Sequence, residues 1–119
     1  MLAQQINRLF KRRPTLDTKQ VYNDNAQKWL RLEPSSLSDF TARPFVFDAC
    51  GELNNRSILD IGCGEGYCAR ELKRRGAGDY LGVDLSTQMI EAAQIQEAKD
   101  QLGIEYRALN VLEFVPERK

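Results

Sequence analysis

There is no histidine among the 119 residues of this chain. The side chain that most often moves protons at neutral pH, and most often binds metals, is therefore missing. Cysteine is scarce: Cys50, Cys63 and Cys68 are an odd number and form no C-x-x-C pair. Three thiols without an imidazole leave a four-ligand zinc site incomplete, and the set suits a reduced, cytoplasmic setting better than a disulfide framework. Net charge is also lacking. Lys plus Arg and Asp plus Glu stand at 17 each, so no overall field draws the chain to nucleic acid or anionic lipid. No apolar run approaches the roughly 18 residues of a membrane span. No Gly-Lys-Ser/Thr follows the glycine-rich stretch, which excludes a P-loop.

Against these absences stands Ser57 to Arg70, Ser-Ile-Leu-Asp-Ile-Gly-Cys-Gly-Glu-Gly-Tyr-Cys-Ala-Arg. A short apolar run carrying Asp60 near its end stops at Gly62, Gly64 and Gly66, and a helical pattern follows. This is strand, tight loop, helix. The glycines fit a backbone that must turn through positive φ or meet a ligand closely, across the carboxyl end of a strand. The dinucleotide fingerprint wants glycines at one, three and six, but the sixth position here is Tyr67. Asp60 also disfavours a pyrophosphate and favours a ligand carrying ammonium or sulfonium charge.

Asp60-Ile61-Gly62-Cys63-Gly64-Glu65-Gly66 resembles the first motif of the class I S-adenosylmethionine-dependent methyltransferases. Tyr80-Leu81-Gly82-Val83-Asp84-Leu85-Ser86-Thr87-Gln88-Met89 resembles the same family's second-strand motif. Asp84 lies eighteen residues past Gly66, near the offset of about 20 at which a Rossmann-type acid meets ribose hydroxyls. The resemblance implies a Rossmann-like α/β fold and S-adenosylmethionine as cofactor. It places Gly62, Gly64 and Gly66 along the cofactor's backbone surface, Asp60 near its amino group, Asp84 at the ribose and Met89 on the adenine ring, with Cys63 and Leu85 as further cofactor-binding positions. Asn110 stands where the family usually has an Asp that accepts from the adenine amino group, and the Val111 amide would serve a ring nitrogen. Tyr22 would lean on the methionine end. Alternatives stay open at single positions: a helix cap for Asp84, a plain core residue for Met89, simple packing for Tyr22 and Trp29.

Read in order, residues 1–53 form a helical extension and cap, and residues 54–119 a cofactor-binding half. Leu2, Ile6, Leu9 and Phe10 fall at helical spacing beside Arg8, Lys11, Arg12 and Arg13, either a surface-seeking helix or a plain extension. A helix is predicted from Asp17 or Thr18 with Val21, Tyr22, Ala26, Trp29 and Leu30 on its apolar face. A turn capped by Ser38 and a helix opened by Pro44 follow, with Phe45, Val46, Ala49, Cys50 and Leu53 as its apolar face. Arg31 and Arg43 read as solvated cations near this cap, Glu65 as turned to solvent, and Arg70 with Lys73, Arg74 and Arg75 as a solvated helix face. Further strands are predicted over 79–83 and 104–108, with a helix over 86–101 between them.

These make the first three strands, in spatial order 3-2-1, of the family's seven-stranded sheet. The chain is thus expected to be truncated before a fourth strand, with an open edge that more chain, another copy or a second protein would complete. The expected activity is methyl transfer to a small-molecule acceptor, with no nucleic acid or membrane as partner and no catalytic residue assignable. Two other classes remain: a non-catalytic S-adenosylmethionine-binding or regulatory protein, and, less favoured by the glycine spacing, a nucleotide-dependent oxidoreductase.

Overall fold

The computed structural model describes residues 17–113; the basic opening segment and the last six residues lie outside them. Three parallel strands, β1 (Ile58–Ile61), β2 (Tyr80–Asp84) and β3 (Ile104–Ala108), form one sheet in the order β1-β2-β3. Ile58 faces Tyr80 and Ile61 faces Val83 across the first pair, and Asp84 faces Ala108 across the second. The expected 3-2-1 arrangement is what the chain adopts. The apolar run of β2 is continuous because this central parallel strand is covered on both faces, and Val83 is only 1% exposed, whereas β3 alternates buried Ile104 and Tyr106 with exposed Glu105 and Arg107. β1 has a neighbour on one side alone among the described residues, and its Leu59 and Ile61 stand 47% and 58% exposed.

Two helices connect the strands: α4 (Tyr67–Arg74) between β1 and β2, and α5 (Thr87–Asp100) between β2 and β3. Met89, Ile90, Ala92 and Ala93 are the buried stripe of α5, at the spacing that puts them on one helical face. Its first turn is capped by Ser86, whose side chain accepts from the Met89 amide. It ends at Gln101, in the left-handed region, where the sequence predicts its end. Ala69 and Leu72 of α4 join Tyr80, Ile90, Ile104 and Tyr106 in the main core.

The N-terminal part holds α1 (Thr18–Trp29), α2 (Leu37–Thr41) and α3 (Arg43–Ala49). Asp17 caps α1 by accepting from the Lys19 amide at 3.1 Å, as its sequence suggests. Packing differs from expectation. Only Ala26 of α1 is buried, while Val21, Tyr22, Trp29 and Leu30 stay 37–46% exposed. In α3 the buried residue is Phe47, not Phe45 or Val46, which are 72% and 58% exposed. The reason is geometric: a helix of seven residues has room to press one side chain into the core, and Phe47 is the one whose phase meets Leu53 and the sheet. The cap of α2 is Ser36 rather than Ser38.

Among the described residues no helix is long and apolar enough to cross a membrane.

Candidate functional site

The glycine loop is held mostly by main chain. Past Ile61 the amides of Gly62 and Cys63 both donate to the Val83 carbonyl, at 2.8 and 3.0 Å, which folds the loop over the tip of β2. Gly66 then starts α4 with φ +90°. A β-carbon there would overlap the Tyr106 phenol and lie 3.1 Å from Arg70 Nη1, so both dihedral and space demand glycine.

This fold of the loop aims backbone donors at Asp84. Its Oδ2 accepts from the Gly64 amide at 2.9 Å and its Oδ1 from the Ser86 amide at 2.9 Å. The carboxylate is thereby fixed in orientation, and each oxygen keeps a lone pair for a further donor. Ser86, 1% exposed, remains the helix cap, so Asp84 is not needed for that role.

Two cavities adjoin the loop. The larger, about 330 Å³, is lined by Gly62, Gly64, Asp84, Leu85, Met89 and Val111, with Thr18, Lys19 and Tyr22 of α1 as its outer wall. The second, about 230 Å³, is lined by Asp60, Cys63, Glu65, Tyr67, Arg31 and Arg43, among others. Tyr22, Gly62, Gly64 and Met89 border both. Asp60 and Asp84 therefore face adjoining spaces with the glycine loop as their common wall. Together the cavities fall in the range of roughly 300–1,000 Å³ usual for small-ligand sites.

Asp60 accepts one hydrogen bond, from the Tyr80 hydroxyl at 2.8 Å. Burial pushes its carboxyl above the ordinary range; the Tyr80 bond pulls it back, and the nearby Asp84 charge raises it again. A cation beside it would relieve that cost. The Cys63 thiol is raised well above its usual value by burial, then by Asp60 and Asp84, so it stands as an inert thiol. Gly66 and Asn110 are the predicted residues that line neither cavity: Gly66 turns toward Tyr106 and Arg70 in the core. Asn110 Oδ1 accepts from the Leu112 amide at 3.1 Å in the short turn Val111–Glu113, while its neighbours Leu109 and Val111 line the cavity. Among the described residues no group of acidic, cysteine or histidine side chains is arranged to hold a metal ion.

Below the loop lies an ionic layer that the sequence reading placed in solvent. Glu65 and Arg70 are 2% and 3% exposed and pair at 2.7 Å. Glu65 also accepts from the Tyr67 amide at 3.1 Å, and Arg70 donates to the Glu65 carbonyl at 2.7 Å and to the Arg31 carbonyl at 2.6 Å. Arg31 and Arg43, expected as free cations, both bind Asp39, whose side chain is fully covered, and both guanidinium groups lie over the Tyr67 ring. Burial would raise the Asp39 carboxyl, but the Ser35 and Ser36 amides, the Ser36 hydroxyl and Arg31 outweigh it and hold it far below the usual range. One local signal pointed to Asp39. Ser36-x-x-Asp39 has the form of a capping box with Asp in place of Glu, and the Ser36 amide donates to Asp39 at 2.8 Å. Glu65 and Arg70 carry no comparable local signal.

A sequence model of the family described as "Methyltransferase domain" matches residues 58–119. The ubiquinone biosynthesis O-methyltransferase of Acinetobacter baylyi is 35% identical over 75 residues, covering 62% of this chain and 31% of that protein. The chain thus spans about a third of the length of the curated relatives it matches. An S-adenosylmethionine-dependent methyltransferase from Mesorhizobium loti superposes with TM-score 0.53 at 30% identity, over 63% of this chain and 34% of that one. Magnesium protoporphyrin IX methyltransferase from Synechocystis PCC 6803, solved with bound SAH, shares the fold with TM-score 0.62 at 20% identity, over 82% and 52%.

Proposed function

We propose, since the chain belongs to the class I S-adenosylmethionine-dependent methyltransferases, that its paired cavities bind S-adenosylmethionine and serve methyl transfer to a small-molecule acceptor. One observation carries the reading: the Asp84 carboxylate is locked by the Gly64 and Ser86 amides at the rim of a cavity floored by glycines. A carboxylate oriented in this way and left with free lone pairs is suited to a pair of vicinal hydroxyls.

The donor set fits the cofactor. Asp84 and Leu85 would hold the ribose, Met89 and Val111 would flank the adenine, and Gly62 and Gly64 would leave room for the chain between, with Gly66 serving only to shape the loop. Asp60 and Cys63 border the second cavity, where Asp60 would favour the cationic end, and Tyr22 spans both spaces. Asn110 would serve indirectly, by setting the turn that presents Val111. When bound, the cofactor supplies an electrophilic methyl group on a sulfonium. The protein's share is then to orient, to exclude water and to offset charge. Tyr22, Met89 and the glycine loop cover the space between the cavities, and Asp60 offsets positive charge there. Residues 17–53 would act as the cap and residues 54–113 as the cofactor-binding half.

The similarity to the ubiquinone biosynthesis O-methyltransferase of Acinetobacter baylyi makes a hydroxyl-bearing small molecule the acceptor to try first. The free thiols of Cys50, Cys63 and Cys68 suit the reducing cytoplasm. The free edge of β1 would be paired by more chain or a second copy, and sedimentation at two concentrations separates those cases.

Calorimetric titration tests the central reading. S-adenosylmethionine and S-adenosylhomocysteine should bind and NAD should not. Binding of NAD alone would turn the assignment to an oxidoreductase, and cofactor binding without transfer of a labelled methyl group to any hydroxylated acceptor would favour the non-catalytic alternative.

A further inference from the structure

Helix α1 walls the larger cavity with Thr18, Lys19 and Tyr22, yet Ala26 is the single buried residue among its twelve. With Val21, Tyr22 and Trp29 still 38–46% exposed, apolar burial holds this helix only in part. The chain just beyond its carboxyl end is fastened firmly: the Arg31 carbonyl accepts from Arg70 at 2.6 Å, and the Arg31 amide donates to Glu65 at 3.5 Å. Its middle is fastened by one side chain. Asn23 Oδ1 accepts from the Ser86 hydroxyl at 2.6 Å and from the Gln88 amide at 3.3 Å. The other described side-chain bonds of α1, from Gln20, Asn25 and Lys28, stay within the helix.

Ser86 passes the contact inward. Its hydroxyl also accepts from the Met89 amide at 3.2 Å, and its own amide donates to Asp84 Oδ1 at 2.9 Å. Asn23, Ser86 and Asp84 thus form a short hydrogen-bonded chain from the covering helix to the carboxylate at the cavity rim. We propose that Asn23 is a positioning residue that latches α1 over the cavity and so sets how long the ligand stays there. This rests on the cofactor reading given above. Both contacts use Oδ1 as acceptor and neither uses the amide nitrogen. The latch therefore needs an acceptor and not an amide, and Asp would serve, its charge favoured at the start of α5.

Asparagine is a poor helix former and alanine the best. If Asn23 did nothing beyond α1, Asn23→Ala would tighten the helix; as a latch, its loss loosens it. The two accounts predict opposite signs. The test uses the whole 119-residue chain as wild type, Asn23→Ala and Asn23→Asp. Hydrogen exchange of the α1 amides is measured without ligand, and S-adenosylhomocysteine dissociation by stopped flow. In Asn23→Ala the α1 amides should exchange faster by about tenfold, the scale of the two lost hydrogen bonds. Dissociation should quicken by a similar factor, while Asn23→Asp stays near wild type in both. Unchanged or slower α1 exchange in Asn23→Ala overturns the latch. Faster exchange with unchanged dissociation overturns the positioning role, and an Asn23→Asp protein as loose as Asn23→Ala overturns the acceptor account. A wild-type chain that binds no S-adenosylhomocysteine overturns the cofactor reading instead, because the exchange measurement needs no ligand.

Discussion

The cavity has two walls held by different forces. On the sheet side the glycine loop is fixed by neighbouring main chain: Gly62 and Cys63 bond Val83, Gly64 and Ser86 bond Asp84, and Gly66 takes a conformation that other residues avoid. On the cap side little apolar surface is buried, and charged groups do the fastening. Arg31 joins Asp39, Glu65 and the Arg70 guanidinium, and Asn23 reaches Ser86. The first wall is set by dihedral angles and main-chain bonds between paired strands, so it is rigid wherever the sheet forms. The second reaches the sheet half through a few side chains, so it is the wall suited to move. Arg70 and Glu65, the ion pair between them, belong to both.

The largest effect should come from breaking that junction. Arg70→Met keeps the bulk but strands the Glu65 charge in a buried site and removes the donor to the Arg31 carbonyl. Urea unfolding should show a loss of about 3–5 kcal/mol, and the double variant with Glu65→Gln should be less destabilised than Arg70→Met alone. Equal losses in single and double variants would mean that the pair is not what joins the walls.

Next comes the sheet wall by itself. Asp84→Asn replaces one acceptor oxygen with a donor group, so the Gly64 or the Ser86 amide must lose its partner. Calorimetry should find S-adenosylhomocysteine bound more weakly by about 2–3 kcal/mol, the scale of hydrogen bonds to a charged group, with the fold retained by circular dichroism. Undiminished affinity would remove Asp84 from the ligand.

The cap wall should be the acid-sensitive one. Asp39 has a folded pKa held below its unfolded value, so its carboxylate contributes stability that is present above the ordinary carboxylate pKa and lost as pH falls through the folded one. Unfolding measured from pH 6 downward should show the wild type losing stability below about pH 4, and Asp39→Asn, already weaker, losing less over that interval. Asp60 works with the opposite sign. Burial raises its folded pKa, so the folded state holds that proton more tightly, and stability falls as pH rises through the ordinary carboxylate value.

The smallest effect is read through Asp60. A protonated Asp60 has lost its attraction for a cation, so S-adenosylmethionine binding should weaken as pH is lowered through the Asp60 titration, and S-adenosylhomocysteine, which lacks the sulfonium, should respond less. Tyr80→Phe removes the bond that pulls this pKa down and should move the weakening to higher pH. Identical pH profiles for the two ligands would detach Asp60 from the sulfonium.

The sheet wall was largely legible in the residues. The mainly apolar runs at 58–61 and 80–84 and the Ile104-x-Tyr106 alternation mark the strands, and the Gly62-x-Gly64-x-Gly66 spacing marks the loop between strand and helix. Arg70 shows where reading stopped. With Lys73, Arg74 and Arg75 it looks like a solvated basic face, and Arg74 and Arg75 are indeed exposed, but the phase of α4 turns Arg70 inward, where Glu65 and the Arg31 carbonyl await it. Phe45 and Phe47 are as apolar as each other, and only the position of Leu53 and the sheet selects Phe47. Asn23 carries no signal of its own, since its partner Ser86 is sixty-three residues away.

By itself, then, the amino-acid order determined the strand-loop-helix, the carboxylate at the tip of β2 and the family. Each depends on dihedral preference and spacing within about twenty residues, which are properties of the chain before it folds. Only the tertiary structure decided which charges would sink. A buried ion is tolerated where a partner meets it: Asp39 meets Arg31 and Arg43 within the cap, Glu65 and Arg70 meet each other at the start of α4, and the bond from Arg70 to the Arg31 carbonyl exists only once the cap has closed on the sheet.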